Sequence, residues 1–308
     1  MVILVTGAAG FVGRHLVELL HKSGGNDVYG TALHHGLGDA IMKQVDLKDG
    51  ESVKRLLSEI KPEVIYHLAA FASPALSFKQ PVEAITDTLA MQINLYEASL
   101  SLGISPRFLV VGSGQIYGRA DATMLPLTEE AALDFASPYA VAKVGQEHLA
   151  SMYAKRGIES VIARPFNHIG PGQQPGYLVS DLSKQVAELE KSASNDTLRV
   201  GNLSSKRDFT DVRDIVRAYC LLAEKGRRGK VYNVCSGKST SGQDILDTLL
   251  SFSEKKIVTE QDPARMRPSD IPDLYGDASK LNKDTGWKPE IGLSQTLEDT
   301  LNYWRSRV

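Results

Sequence analysis

Val2-Ile3-Leu4-Val5-Thr6-Gly7-Ala8-Ala9-Gly10-Phe11-Val12-Gly13 is the stretch on which the reading of the chain turns. Val2 to Val5 is a short apolar run rich in β-branched side chains, the pattern of a buried strand. Gly13 to His21 then carries Leu16, Val17, Leu19 and Leu20 at helical spacing. Between them stand glycines at 7, 10 and 13. Gly7 permits a tight turn, Gly10 lets a pyrophosphate approach the backbone at the helix N-terminus, and Gly13 allows close packing of helix on strand. With Phe11 and Val12 at the helix start, these glycines are candidate contacts for a dinucleotide cofactor.

Outward from this unit the alternation continues. Asp27 to Ala32 reads as a second strand and Val53 to Ile60 as a helix. Val64 to Leu68 and Phe108 to Val111 read as apolar strands, Tyr139 to Arg156 as a long helix, and Ser160 to Ala163 as another strand. Such alternation predicts an α/β fold of the Rossmann type, a doubly wound parallel sheet covered on both faces. After Pro165 the pattern changes, with a Gly- and Pro-rich loop at 170–176. Val231 to Val234 is a strand expected to return to the main sheet. The last third, with Pro263, Pro268, Pro272 and Pro289, reads as loop-rich with short helices. The expected division is a cofactor-binding domain of residues 1–165 plus about 208–235, and a smaller substrate-binding lobe of 166–207 and 236–308.

Composition excludes several classes. A chain of 308 residues with 42% hydrophobic and 23% charged content is that of a soluble globular protein. A net charge of -2 gives no electrostatic case for nucleic acid or an anionic membrane as the main partner. Two cysteines, Cys220 and Cys235, are too few for a disulfide framework, and no metal site is expected. The N-terminus has no basic leader or cleavage site, and no run of about 18 apolar residues spans a membrane, so the expectation is a cytoplasmic protein.

The second strand should report which cofactor is used. An acidic residue at its end would favour NAD. Gly30-Thr31-Ala32-Leu33-His34-His35 has no carboxylate, which leans towards NADP(H), and no arginine, which leaves NAD(H) open. His34 and His35 are either phosphate contacts or solvated loop residues. Asp46 and Leu47 are candidate adenine contacts, and Leu68-Ala69-Ala70 leaves room for the cofactor's backbone approach.

Ser137-Pro138-Tyr139-Ala140-Val141-Ala142-Lys143 places Tyr139 and Lys143 four apart at a helix start, on one face. A free tyrosine titrates near about 10, and a neighbouring ammonium stabilises its phenolate. Lys143 can also reach a nicotinamide ribose. Ser113, just past the strand ending at Val111, can hydrogen-bond the oxygen that Tyr139 protonates.

Taken together, these residues resemble the extended short-chain dehydrogenase/reductase family, in its nucleotide-sugar branch, over essentially the whole chain. The resemblance implies that Ser113, Tyr139 and Lys143 are catalytic. In Arg164-Pro165-Phe166-Asn167-His168-Ile169-Gly170-Pro171-Gly172-Gln173 it implies that Phe166 faces the cofactor and Asn167 the substrate. Arg207, in the run from Gly201 to Phe209, and Arg267, in Arg267-Pro268-Ser269-Asp270, are implied diphosphate contacts, with Asp270 on ribose hydroxyls. Lys184 is a candidate second phosphate contact, and Gln115 joins Ser113 among the substrate contacts. Through the runs Val231 to Gly237, Asp262 to Arg267 and Thr285 to Pro289 the resemblance extends to reductases of GDP-linked 4-keto-6-deoxy sugars, and implies that activity.

The same fold hosts dehydratases, which need an acid and a base beside the catalytic hydroxyl. Those positions hold Gly114 and Gln115, neither of which exchanges a proton at neutral pH. The expected chemistry is therefore reduction of a C4 ketone, with NADP(H) favoured over NAD(H). The rivals are a reductase of a related GDP-4-keto sugar of deoxytalose or deoxyheptose type, a nucleotide-sugar 4-epimerase, and a non-catalytic dinucleotide sensor. Family analogy implies a homodimer through the helix from Val82 to Leu102 and the one beginning at Tyr139.

Overall fold

The computed structural model describes residues 1–33, 41–192, 197–265 and 271–308. The first half runs β1 (Val2–Thr6), α1 (Phe11–Lys22), β2 (Asp27–Ala32), β3 (Ile41–Gln44), α2 (Gly50–Ile60), β4 (Val64–His67), α3 (Pro74–Ser77), α4 (Pro81–Leu102), β5 (Arg107–Val111), α5 (Pro138–Ala154) and β6 (Glu159–Pro165). The second half runs β7 (Asn167–Ile169), α6 (Leu178–Lys191), β8 (Leu198–Val200), β9 (Lys206–Asp211), α7 (Val212–Lys225), β10 (Val231–Val234), β11 (Ser239–Ser241), α8 (Gly242–Ser251), β12 (Thr259–Gln261), β13 (Asp273–Leu274), α9 (Ser279–Thr285) and α10 (Leu293–Arg305).

Among the described residues, seven strands form one parallel sheet in the order β3-β2-β1-β4-β5-β6-β10. β1 shows why the strands are apolar throughout. Ile3 and Val5 face one side, packing with Leu16 and Val17 of α1 and Ile215 and Tyr219 of α7, while Leu4 faces the other, with Val53 and Leu57 of α2 and Leu95 of α4. Side chains alternate across a strand, so burial on both faces removes the polar half of the pattern. The strand order reverses between β1 and β4, and the crevice at their C-terminal ends is where this topology binds ligands.

β10 joins the main sheet beside β6, with Val231 opposite Ile162, as the sequence predicts. The last third is more regular than its prolines suggest. α10 has 13 residues and α8 has 10, and both bury leucines against α6 in a separate core that includes Val186, Leu246, Leu249, Leu297 and Leu301. Leu281 and Trp287, from the same third, pack instead into the core beneath α1 and α7. Beside the C-terminal end of the main sheet, β9 pairs with β7, β11 and β13. No helix among the described residues is long and apolar enough to cross a membrane.

Candidate active site

The glycine loop leaves no room for side chains. Gly7 sits at φ +70, and a Cβ there would stand 3.1 Å from the Ala69 backbone nitrogen. A Cβ on Gly13 would lie 2.3 Å from the Gly7 carbonyl oxygen. These contacts seat α1 directly on the loop, and the end of β4 directly behind it. Thr6 ties the two strand ends together, its Oγ1 accepting from the Ala69 N–H (3.1 Å) and lying 3.0 Å from His67 Nδ1. Gly10 caps α1 without a side-chain bond, and no acidic residue lies in the first turn. The helix N-terminus therefore presents backbone N–H groups and a positive dipole end to the crevice, a cradle that fits the pyrophosphate of a dinucleotide.

Ser137 and Pro138 explain where α5 begins. The Ser137 hydroxyl accepts from the Ala140 N–H (3.1 Å), and proline suits the first helical position. Tyr139 and Lys143 thus fall on successive turns of one face, with the Lys143 ammonium 5.8 Å from the Tyr139 ring centre. Ser113, nearly buried, caps the 3₁₀ turn Gly114–Tyr117 beyond β5, and its Oγ accepts from the Gln115 N–H at 3.1 Å. Burial pushes the Tyr139 phenol up to about 12, against a lowering hydrogen bond from Ser113, and Tyr177 adds to the rise. Tyr139 is therefore protonated at neutral pH, the state a proton donor needs. Burial lowers Lys143 to about 7, with Glu147 opposing the shift.

The structure brings Ser113, Tyr139 and Lys143 together at the C-terminal end of β5, with His67 at the end of β4 facing Lys143. Asp46 and Leu47 follow β3, where the Asp46 carboxylate accepts from the Lys48 N–H (2.9 Å) and Leu47 is buried. Asn167 opens β7, opposite Phe209 of β9. Arg207, on β9, is half-buried, donates to the Lys206 carbonyl (2.7 Å) and makes no ion pair among the described residues. Burial lowers its pKa, with the Asp273 carboxylate opposing the shift. His34, His35, Arg267 and Asp270 lie outside the described residues.

Lys184 and Phe166 have close neighbours of their own within the protein. The Lys184 ammonium turns to its own helix and to α10, 3.6 Å from Glu188 and 5.7 Å from the Trp304 ring centre. The Phe166 ring is enclosed in a small core with Tyr117, Leu127, Cys235 and Leu274. It fills the space beside two glycines. A Cβ on Gly114 would come within 2.9 Å of it and one on Gly276 within 2.6 Å. The same wedge gives a physical reason for the missing acid after Ser113, because a side chain at 114 would collide with the ring.

Sequence reasoning missed a buried polar network behind the site. Glu147, one turn beyond Lys143, takes a two-pronged contact from Arg164 of β6, at 2.8 and 2.7 Å. Arg164 also donates to the Tyr117 hydroxyl (2.8 Å), which donates to Asn233 of β10 (2.7 Å). The signal was the position of Glu147 on the Lys143 face, which spacing alone makes look like a solvated helical pair.

Comparison with known proteins agrees with this geometry. A family model described as GDP-mannose 4,6 dehydratase matches residues 4–300. The GDP-6-deoxy-D-mannose reductase of Pseudomonas aeruginosa is 34% identical over 308 residues, 99% of this chain and 98% of the relative. The GDP-6-deoxy-D-talose 4-dehydrogenase of Aggregatibacter actinomycetemcomitans is 31% identical, over 91% of this chain and 90% of the relative. Among solved structures, RMD from Pseudomonas aeruginosa complexed with NADPH superimposes with a TM-score of 0.90 at 32% identity, covering 100% of this chain and 99% of the other. The UDP-glucose 4-epimerase of Thermus thermophilus in complex with NAD gives 0.88 at 28% identity, covering 100% of each chain. The chain thus belongs to the GDP-mannose 4,6-dehydratase-like family of extended short-chain dehydrogenases/reductases.

Proposed function

We propose that this enzyme reduces the C4 ketone of GDP-4-keto-6-deoxy-D-mannose to GDP-D-rhamnose, with NADPH favoured over NADH. The observation that carries the reading is the Ser113–Tyr139–Lys143 cluster, set beside a residue 114 that Phe166 closes to any acid. Likeness to a GDP-6-deoxy-D-mannose reductase over nearly the whole chain supports the same substrate. Residues 1–165 with about 208–235 hold the cofactor, and the remainder holds the nucleotide sugar.

In this reading Gly7, Gly10, Phe11, Val12 and Gly13 bind the pyrophosphate. Asp46 and Leu47 lie at the adenine, Leu68, Ala69 and Ala70 along the cofactor backbone, and Lys143 at the nicotinamide ribose. When bound, NAD(P)H supplies the hydride for C4. Tyr139 gives its phenolic proton to the C4 oxygen, Ser113 hydrogen-bonds that oxygen, and the Lys143 ammonium stabilises the phenolate left behind. Gln115 and Asn167 contact the sugar and Arg207 the diphosphate. The pairing surface of a homodimer falls on α4 and α5, where Val82, Val141 and Met152 leave apolar side chains 66%, 42% and 48% exposed.

The test is incubation of purified protein with GDP-4-keto-6-deoxymannose and either reduced nicotinamide, following cofactor absorbance and then the product by NMR. Consumption of neither NADPH nor NADH overturns the reading. The C4 proton couplings separate the rhamnose product from the 6-deoxytalose epimer, a distinction with weight because a 6-deoxytalose dehydrogenase is 31% identical. Arg207→Ala removes one charge-assisted phosphate contact, so GDP affinity by calorimetry should fall about 10- to 100-fold, with kcat little changed. Unaltered GDP affinity would remove Arg207 from the site.

A further inference from the structure

Lys143 stands in a seat built largely by its own helix. Its ammonium donates to the Val111 carbonyl at the end of β5 (2.8 Å) and to Gln146 Oε1 (3.0 Å). Because an ammonium only donates, the Gln146 amide must present its oxygen to Lys143. These bonds use two of three ammonium hydrogens and leave one for the crevice.

Gln146 is fully buried and is itself held in place. Gln92 Nε2, on α4, donates to the Gln146 backbone carbonyl (2.9 Å) and to the Tyr96 hydroxyl (3.0 Å), which lies 2.8 Å from Ser160 Oγ on β6. Gln146 also carries a cost, since its Nε2 has no partner among the described residues. A buried amide with an unpaired donor is worse for stability than an apolar side chain of the same shape. Packing alone therefore gives no reason for a glutamine here. Its oxygen does.

We propose that Gln146 is a positioning residue for Lys143, its Oε1 fixing the ammonium in place and sustaining its charge inside a dry site. The inference rests on the reading of Lys143 as the electrostatic partner of Tyr139. The titratable groups facing Lys143 are Tyr139 and Glu147 on its own helix and His67 at the end of β4. Burial, with a contribution from the Lys143 charge, lowers His67 to about 3, so it is neutral and supplies no counter-charge. β5 contributes a carbonyl and α4 acts through the neutral Gln92. Glu147 is committed to Arg164. Gln146 is thus the side-chain acceptor on the ammonium itself.

The test follows the Lys143 ammonium by NMR in cofactor-free, ¹⁵N-lysine-labelled protein, with Lys143→Met for assignment. Gln146→Met keeps length but loses the oxygen, and should lower the Lys143 midpoint by about one to two units, the equivalent of one hydrogen bond to a charged group. Gln146→Glu keeps the oxygen and adds a charge, and should raise it. The kcat–pH profile should move in the same two directions with KM for the nucleotide sugar unchanged. Midpoints that stay at the wild-type value, or that move the same way in both variants, overturn the proposal. Should Gln146→Met fail to fold, the near-isosteric Gln146→Glu decides alone, by whether the midpoint rises. The titration needs no turnover, so a wild-type protein inactive on GDP-4-keto-6-deoxymannose would reject the substrate reading and leave this result standing.

Discussion

Tyr139→Phe should lower kcat by about 10²- to 10⁴-fold, the usual worth of a positioned proton donor. The phenyl ring fits the same space, so the fold and the seat of Lys143 survive. What is lost is the proton for the C4 oxygen and the partner of the Ser113 hydroxyl. The phenol is held up at about 12 by burial, so the donor is fully protonated throughout the neutral range. Affinity for GDP should be unchanged, because the proposed diphosphate contact, Arg207, lies on β9 and not on α5. Steady-state loss of nicotinamide absorbance, with GDP titration as a binding control, reads both quantities. Activity within about threefold of wild type would reject Tyr139 as the donor, because a lost general acid costs far more.

The second large effect is on stability. Glu147→Ala should destabilise the fold by about 3–5 kcal/mol, since it strands the Arg164 guanidinium in the interior. The side chains of this pair are 6% and 9% exposed. Arg164 is held by Glu147 through both Nε and Nη2, which together with Tyr117 raises its pKa against the effect of burial. Replacing both partners with apolar residues, as in Glu147→Leu with Arg164→Met, should recover most of the loss, because no unpaired charge remains. Urea unfolding measures the single and double variants. A single variant costing under about 1 kcal/mol would mean that water reaches the guanidinium and that the pair is worth no more than a surface one.

The parts legible in the sequence are those set by short-range pattern. β1, its glycines and α1 are readable because an apolar run, a turn residue and a helical stripe follow one another within about twenty residues. Ser137 and Pro138 announce the start of α5 in the same local way. The parts that escaped depend on distant partners. Lys184 reads as free until α10 folds back and places Trp304, 120 positions on, beside it. The packing of Gly114 and Gly276, from two other segments, against the Phe166 ring has no local signal in the sequence. The burial of Gln92, Gln146, Glu147 and Arg164 has no local signal, because it comes from α4, α5 and β6 meeting. β11 and β13 have three and two residues, too few to show an alternation.

The Phe166 wedge also orders the ways in which this enzyme could change its chemistry over evolutionary time. Gaining an acid at position 115 takes one substitution, because Gln115→Glu alters little in shape. Gaining one at 114 takes at least two, and their sequence matters. Any side chain introduced there first meets a ring 2.9 Å away, so the ring must shrink before the acid can arrive. Lineages starting from this protein are therefore steered towards retaining ketone reduction, whereas a relative with a smaller residue at 166 would have the second route open. Gly114→Asp introduced into wild type and into a Phe166→Ala background measures that dependence directly: the same substitution should be poorly tolerated in the first and accepted in the second.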